Sequence, residues 1–148
     1  MTRGIRSESV ADMVLTEAKQ PTLLAVSELC IDVRSRSGTI RAVDGVSLRI
    51  DRGETLGLVG ESGSGKSMFS LGIMRVLPRS ARIVSGSVHF DGEDLLARSE
   101  RSMRKLRGVR MSMVLQQPLT SLNPGLTIGK QVAQPIRLHQ GLRGAALR

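Results

Sequence analysis

Aromatic side chains are nearly absent from this sequence: Phe69 and Phe90 stand alone, with no tryptophan and no tyrosine. The core must therefore rest on Val, Leu, Ile, Met and Ala, and a single-stranded nucleic-acid reading, which needs aromatic stacking platforms, is weakened. Cysteine is as scarce. Cys30 alone excludes an internal disulfide, which fits a reducing compartment. Long apolar runs are lacking too: the longest uncharged stretch, residues 111–129, is interrupted by Gln116, Gln117, Pro118, Asn123 and Pro124 and does not describe a membrane span. Residues 1–22 carry neither a continuous apolar segment of the secretory type nor a sustained periodicity, and read as a disordered leader.

Acidic residues run out after Glu100. Acid and base cancel over residues 1–96, twelve of each, whereas residues 97–148 set ten basic side chains against Glu100 and so carry the whole net charge of +9. That imbalance suits an anionic partner, a membrane surface, or a piece of chain separated from its acidic complement.

What remains is a chain of 148 residues, 40% apolar, with one domain as the natural expectation. Leu24, Val26, Leu29, Ile31 and Val33 predict a strand with an irregularity near Ser27 and Glu28, and a polar turn follows over residues 34–38. Val46, Leu48 and Ile50 alternate with Ser47 and Arg49, the period of a half-buried strand. Residues 55–59 (Thr-Leu-Gly-Leu-Val) form a short apolar run of the kind buried on both faces of a parallel sheet. An apolar helix over 67–77 is expected to be deeply buried and to stop at Pro78. Residues 84–90 predict a further strand with Asp91-Gly92 as its turn. Ser99 is a candidate N-cap for a short basic helix ending near Gly108, residues 110–115 a candidate strand, and Thr127 a cap for a last helix to about Gln140, strained by Pro135. Strands first, then strand, loop and helix, describe an α/β nucleotide-binding core with a β-rich lead-in.

One loop is specific. Gly60-Glu61-Ser62-Gly63-Ser64-Gly65-Lys66-Ser67 matches GxxxxGK[ST] in full, with an apolar run before it and a helical pattern after it. Glycines let successive N–H groups turn inward around a polyphosphate, and the helix that follows adds its positive dipole end. In that chemistry Lys66 bridges the β- and γ-phosphates, the Ser67 hydroxyl ligates Mg²⁺, and Glu61, Ser62 and Ser64 contribute mainly main-chain atoms.

A second segment narrows the class. Met111-Ser112-Met113-Val114-Leu115-Gln116-Gln117-Pro118-Leu119-Thr120-Ser121-Leu122-Asn123-Pro124 closely resembles the Q-loop region of ABC-type ATPases, and more narrowly the ATP-binding subunits of importers for dipeptides, oligopeptides and nickel. Ala42-Val43-Asp44-Gly45-Val46-Ser47 and Ser85-Gly86-Ser87-Val88-His89-Phe90-Asp91-Gly92 support the resemblance, which is collinear over about residues 23–140. It implies an α/β P-loop NTPase core with an N-terminal antiparallel β subdomain, truncated before the signature motif. The domain would occupy residues 23–148, its helical subdomain only begun after about 124. ATP and Mg²⁺ are the implied cofactors. Residues 60–67 and Val33 would then hold the nucleotide, Lys66 and Gln116 would act in catalysis, and Ser67 with Gln116 would face Mg²⁺. The implied partners are integral-membrane permease subunits and a second ATP-binding subunit, with the protein peripheral on the cytoplasmic face of the inner membrane.

Two positions depart from the family pattern: Gln117 stands where Asp is usual, and Val33 where an aromatic residue stacks on adenine. The family's signature motif, Walker B Asp, catalytic Glu and switch His all follow the Q-loop, and no apolar run ending in Asp-Glu occurs after residue 124. His139 comes too early for the switch and reads as a helix surface residue; His89 reads as structural. A chain of this extent is expected to bind ATP weakly at best without turning it over, and to leave two apolar strands with unpaired edges, an aggregation hazard. Three other readings stand beside this one: a nucleic-acid-binding module on Arg98, Arg101, Arg104, Lys105, Arg107 and Arg110; a soluble P-loop kinase or GTPase, for which no Asn-Lys-x-Asp base motif is present; and the product of a prematurely ended reading frame, without a role.

Overall fold

The computed structural model describes residues 21–36, 38–116 and 122–141. All but the last two residues of the expected leader, and Gln117 with the rest of 117–121, lie outside the described residues. A long hairpin opens the fold: β1 (Thr22–Ser35) pairs antiparallel with β2 (Gly38–Asp51). β3 (Ala81–Phe90) lies antiparallel on the other side of β1, and the short β4 (Glu93–Asp94) extends β3, giving the order β2-β1-β3-β4. Asp91 and Gly92, at φ 52° and 79°, make the tight β3–β4 turn that the sequence announced.

The irregularity near Ser27 and Glu28 is a bulge felt by both neighbours. Register shifts between Val26 and Leu29 against β2, and between Ser27 and Cys30 against β3, with Glu28 at φ 48°. Ser47 fixes it, its Oγ donating to Glu28 Oε1 at 2.8 Å and accepting from the Glu28 N–H at 2.9 Å. Only glycine suits the facing position on β3. A Cβ on Gly86 would stand 2.5 Å from Glu28 O and 2.6 Å from the Leu29 Cα.

The core gathers Val26, Leu29, Ile31, Val43, Val88 and Phe90 of the sheet with Phe69 of α1 (Lys66–Ile73), Met103 and Leu106 of α2 (Glu100–Leu106), and Leu95 between β4 and α2. Both aromatic residues are in it. Each fully buried aliphatic side chain contributes about 1.5–3 kcal/mol, so a core of Leu, Ile, Val and Met can hold the sheet and two short helices together. Ser99 caps α2, its Oγ accepting from the Ser102 N–H at 3.3 Å. Thr127 caps α3 (Ile128–Gln140), which contains Pro135 and buries no residue.

Three local expectations need correction. Residues 55–59 form no strand; Leu56, Leu58 and Val59 are exposed, Val59 at 95%. Nor do residues 110–115, where Met111 makes an isolated bridge with Arg107 and Val114 is 87% exposed. The physical reason is common to both. A strand buried on two faces needs neighbours, and among the described residues no strand lies beside either run. The helix after the loop also ends at Ile73, well before Pro78. Arg75, at φ 53°, terminates it in a Schellman motif: Arg75 N–H donates to Gly72 O and Val76 N–H to Leu71 O, both at 3.0 Å. It is buried on one side only, at Phe69 and Gly72.

Candidate functional site

The 60–67 loop crosses from the exposed 54–59 segment to α1, and its backbone is shaped by two glycines. Gly63 and Gly65 lie at φ 84° and 90°, alternating with non-glycine residues, the left-handed positions from which an anion nest is built. The Ser64 N–H closes a turn on Glu61 O at 3.2 Å, and the Phe69 N–H opens the helix on Gly65 O at 2.8 Å. Space decides the last glycine. A Cβ on Gly65 would stand 2.2 Å from the Ala42 carbonyl oxygen, which shows how closely the loop is seated on β2. At Gly60 a Cβ would meet Ser64 Oγ at 2.7 Å, whereas at Gly63 it would meet nothing within 4 Å.

Lys66 folds back over this turn. Its Nζ donates to Gly60 O and Glu61 O, each at 2.6 Å, and to Ser64 Oγ at 3.1 Å. The ammonium therefore sits at the loop's centre, at the N-terminal end of an eight-residue helix with no acidic residue in its first turn. Fixed N–H dipoles, a helix N-terminus and a held cation all favour an anion at one place.

A cleft of about 370 Å³ opens there, lined by residues 62–68 together with Ala42 and Gln116. Gln116 is thus brought to the loop from fifty residues away in sequence. A second cavity of about 390 Å³ lies between the loop and β2, where Arg41, Val43, Leu58 and Phe69 contribute. Arg41 is clamped by Asp32 (2.5 Å) and Asp44 (3.0 Å), and these carboxylates raise its guanidinium above the ordinary arginine range. Val33 is not brought to either cavity. It sits in β1 opposite Ile40 and Ala81.

These residues fit a polyphosphate: Gly63 leaves open space at the turn, and the charged side chain that lines the cleft is the Lys66 ammonium. For Mg²⁺ the cleft offers the Ser67 hydroxyl and the Gln116 amide, and among the described residues no cluster of three or more His, Cys, Asp or Glu exists. Such a pair holds the ion only together with phosphate oxygens and water, the usual way Mg²⁺ is bound.

The basic cluster over 98–110 looks different in three dimensions. Arg98 pairs with Glu93, Arg104 and Arg107 with Glu100, and Arg110 with Asp91. Asp91 also takes Arg52, and the Arg110 guanidinium lies 5.3 Å from the Phe90 ring centroid. Arg110 first, then Arg52, hold the Asp91 carboxyl below the usual range, and Arg107 does the same for Glu100. A stripe whose cations are largely spent on local carboxylates and carbonyls is no phosphate track, which removes the observation that favoured nucleic acid. His139 is exposed on α3, near Gly108; a Cβ there would be 2.8 Å from its Nε2. His89 lies within β3, opposite Ala25 and Asp94.

Sequence reasoning missed Ala42, whose signal was the glycine at 65, and the internal role of Arg75 and Arg107, which no linear pattern announced.

The ABC transporter family profile matches residues 43–147. The chain belongs to this family. It is 45% identical over 130 residues to the "Putative peptide import ATP-binding protein" of Brucella abortus, covering 88% of this chain and 39% of that one. Its identity to the dipeptide transport ATP-binding protein DppD of Escherichia coli is 43% over 119 residues, 80% of this chain and 36% of the relative. The ABC transporter chain thus spans about two-fifths of the length of the curated relatives it matches. Among solved structures, the dimeric bacterial ABC transporter cassette MJ0796 superposes with a TM-score of 0.69 at 26% identity, over 83% of this chain and 50% of that one. The fold is therefore the ABC ATPase fold, with its antiparallel β sheet in place. No helix among the described residues is long and apolar enough to cross a membrane.

Proposed function

We propose that this chain is the phosphate-binding part of the ATP-binding subunit of an ABC importer that takes up peptides or a related solute. The observation that carries the reading is the 60–67 nest, with Lys66 at its centre and Gln116 closing the same cleft. Relatives named for peptide and dipeptide import support the solute class.

Each residue then has a task. Amides of residues 62–67 hold the β-phosphate, and Lys66 exchanges its contacts with Gly60 O and Glu61 O for β- and γ-phosphate oxygens. Ser67 and Gln116 face Mg²⁺, which when bound supplies charge compensation for the transferring phosphate. Gln116 also orients the attacking water; a neutral amide does this without a competing charge. Permease subunits meet the segment after Gln116, a second ATP-binding subunit completes the site, and the assembly works at the cytoplasmic face of the inner membrane. The dimeric cassette neighbour supports the pairing.

A polypeptide of these 148 residues alone binds nucleotide without turning it over, because no carboxylate after Glu100 is present to serve as base or second metal ligand. Calorimetry with Mg·ATP tests the reading. A saturable heat is expected, weakened by about tenfold or more in Lys66→Ala, the scale of a lost charge-assisted hydrogen bond. Equal heats from both proteins, or none from either, contradict it.

A further inference from the structure

Ala42, Ser64, Gly65 and Lys66 line both of the cavities that flank the loop. On one side the space continues to Ser67 and Gln116, where the reading above puts the metal and the terminal phosphate. On the other it continues along β2 to Arg41 and Asp44. A nucleotide whose phosphates lie at Lys66, with its terminal phosphate toward Ser67, therefore sends its nucleoside toward β2.

Bases are held by stacking on aromatic rings or on guanidinium planes. Neither ring of this sequence is free to stack: Phe69 and Phe90 are 4% and 7% exposed in the core, and Val33 carries no ring. Arg41 offers the other kind of surface. Its Nε donates to Asp32 Oδ1 at 2.5 Å and its Nη1 to Asp44 Oδ1 at 3.0 Å. Asp32 is its direct partner across the β1–β2 ladder, and Asp44 stands three residues on in β2. N–H groups of a guanidinium donate within its plane, so two carboxylates on one edge fix the tilt of that plane and leave its faces free of hydrogen bonds. Among the described residues no aromatic ring lies over it, the cation–ring contact there being that of Arg110 with Phe90.

The backbone places this plane as firmly as the carboxylates do. The Ala42 carbonyl is the surface on which Gly65 is seated, and Arg41 is the next residue along β2. Every member of the arrangement lies in β1, β2 or the 60–67 loop. The side chain is 46% exposed, open to a ligand on one side while its edge is held on the other.

We infer that Arg41, clamped edgewise by Asp32 and Asp44, receives the nucleobase on its guanidinium plane when the phosphates occupy the 60–67 loop. The inference rests on the nucleotide reading above for the phosphates and on the clamp for the base.

Calorimetry with two probes, Mg·ATP and Mg·tripolyphosphate, separates base from phosphate. Arg41→Lys keeps a positive charge between the two carboxylates but has no plane to stack. It lowers the affinity for Mg·ATP about fivefold, the scale of a cation–π contact at a half-exposed site, and leaves tripolyphosphate within about twofold of the parent. The Arg41 Hε resonance moves upfield with Mg·ATP, whose base carries a ring current, and holds its place with Mg·tripolyphosphate. An unchanged affinity for Mg·ATP in Arg41→Lys overturns the inference. Parallel losses for both probes do so too, because they mark a residue that braces the hairpin or attracts phosphate by charge. A parent that binds neither probe overturns the nucleotide reading, and this inference with it.

Discussion

Gly63 and Gly65 share a positive φ but differ in surroundings, and substituting each by alanine separates two costs. Alanine in the left-handed region costs about 1–2 kcal/mol. At Gly63 nothing lies within 4 Å of the added carbon, so strain is the whole effect. At Gly65 the new Cβ would be 2.2 Å from Ala42 O, and reaching even 3.0 Å requires the loop and β2 to part by about 0.8 Å. Neither side can yield freely. Val43, next to Ala42, is 4% exposed in the core, and Phe69, also 4% exposed, hangs from the first helical bond to Gly65 O. Overpacking of this kind adds about 1–3 kcal/mol, giving about 3 kcal/mol in all for Gly65→Ala. For a chain of this size that lowers Tm by about 10 °C, against about 4 °C for Gly63→Ala. Thermal melts followed by circular dichroism read both. Equal shifts, or a larger one at Gly63, would refute the claim that the loop is pressed against the Ala42 carbonyl.

Other outcomes follow from the same geometry. Met103 is fully buried, and Met103→Ala should cost about 2–5 kcal/mol in urea unfolding; a loss under about 1 kcal/mol would place α2 off the core. Because Arg110 and then Arg52 lower the Asp91 pKa, its stabilisation is complete above the ordinary Asp range and is lost as pH falls through the lowered value. Asp91→Asn should therefore be destabilising near neutral pH and converge with the parent in acid, read from urea midpoints between about pH 2 and 6; a constant gap would argue against the pairing. Phosphate release from Mg·ATP by the 148-residue chain should not exceed that of Lys66→Ala, and a clear excess would show that the catalytic groups assigned to later sequence are dispensable.

Legibility from sequence followed the reach of the forces involved. The β1 bulge, the Asp91-Gly92 turn and the Ser99 and Thr127 caps are set by neighbouring residues, and the pattern announced each one. The 60–67 loop was readable because its glycines, lysine and serine act within one turn. Residues 55–59 and 110–115 were misread because apolar content says what a segment can bury and nothing about whether neighbours exist to cover it. The end of α1 was misplaced because Arg75 adopts a glycine-like φ that its own long-range bonds to Leu95 O and Arg98 O help to hold. For the same reason Arg107 was read as one member of a basic cluster, whereas its guanidinium donates to Met74 O and Arg75 O. Its partners Met74 and Arg75 lie more than thirty residues away.

Backbone amide resonances of residues 60–67 test the central claim most directly. On titration with Mg·ATP the account predicts large shifts at Gly63, Ser64, Gly65 and Lys66, a smaller one at the Gln116 side-chain amide, and little change in β3. Shifts confined to α2, at Arg101 and Lys105, with the loop amides unmoved, would contradict it.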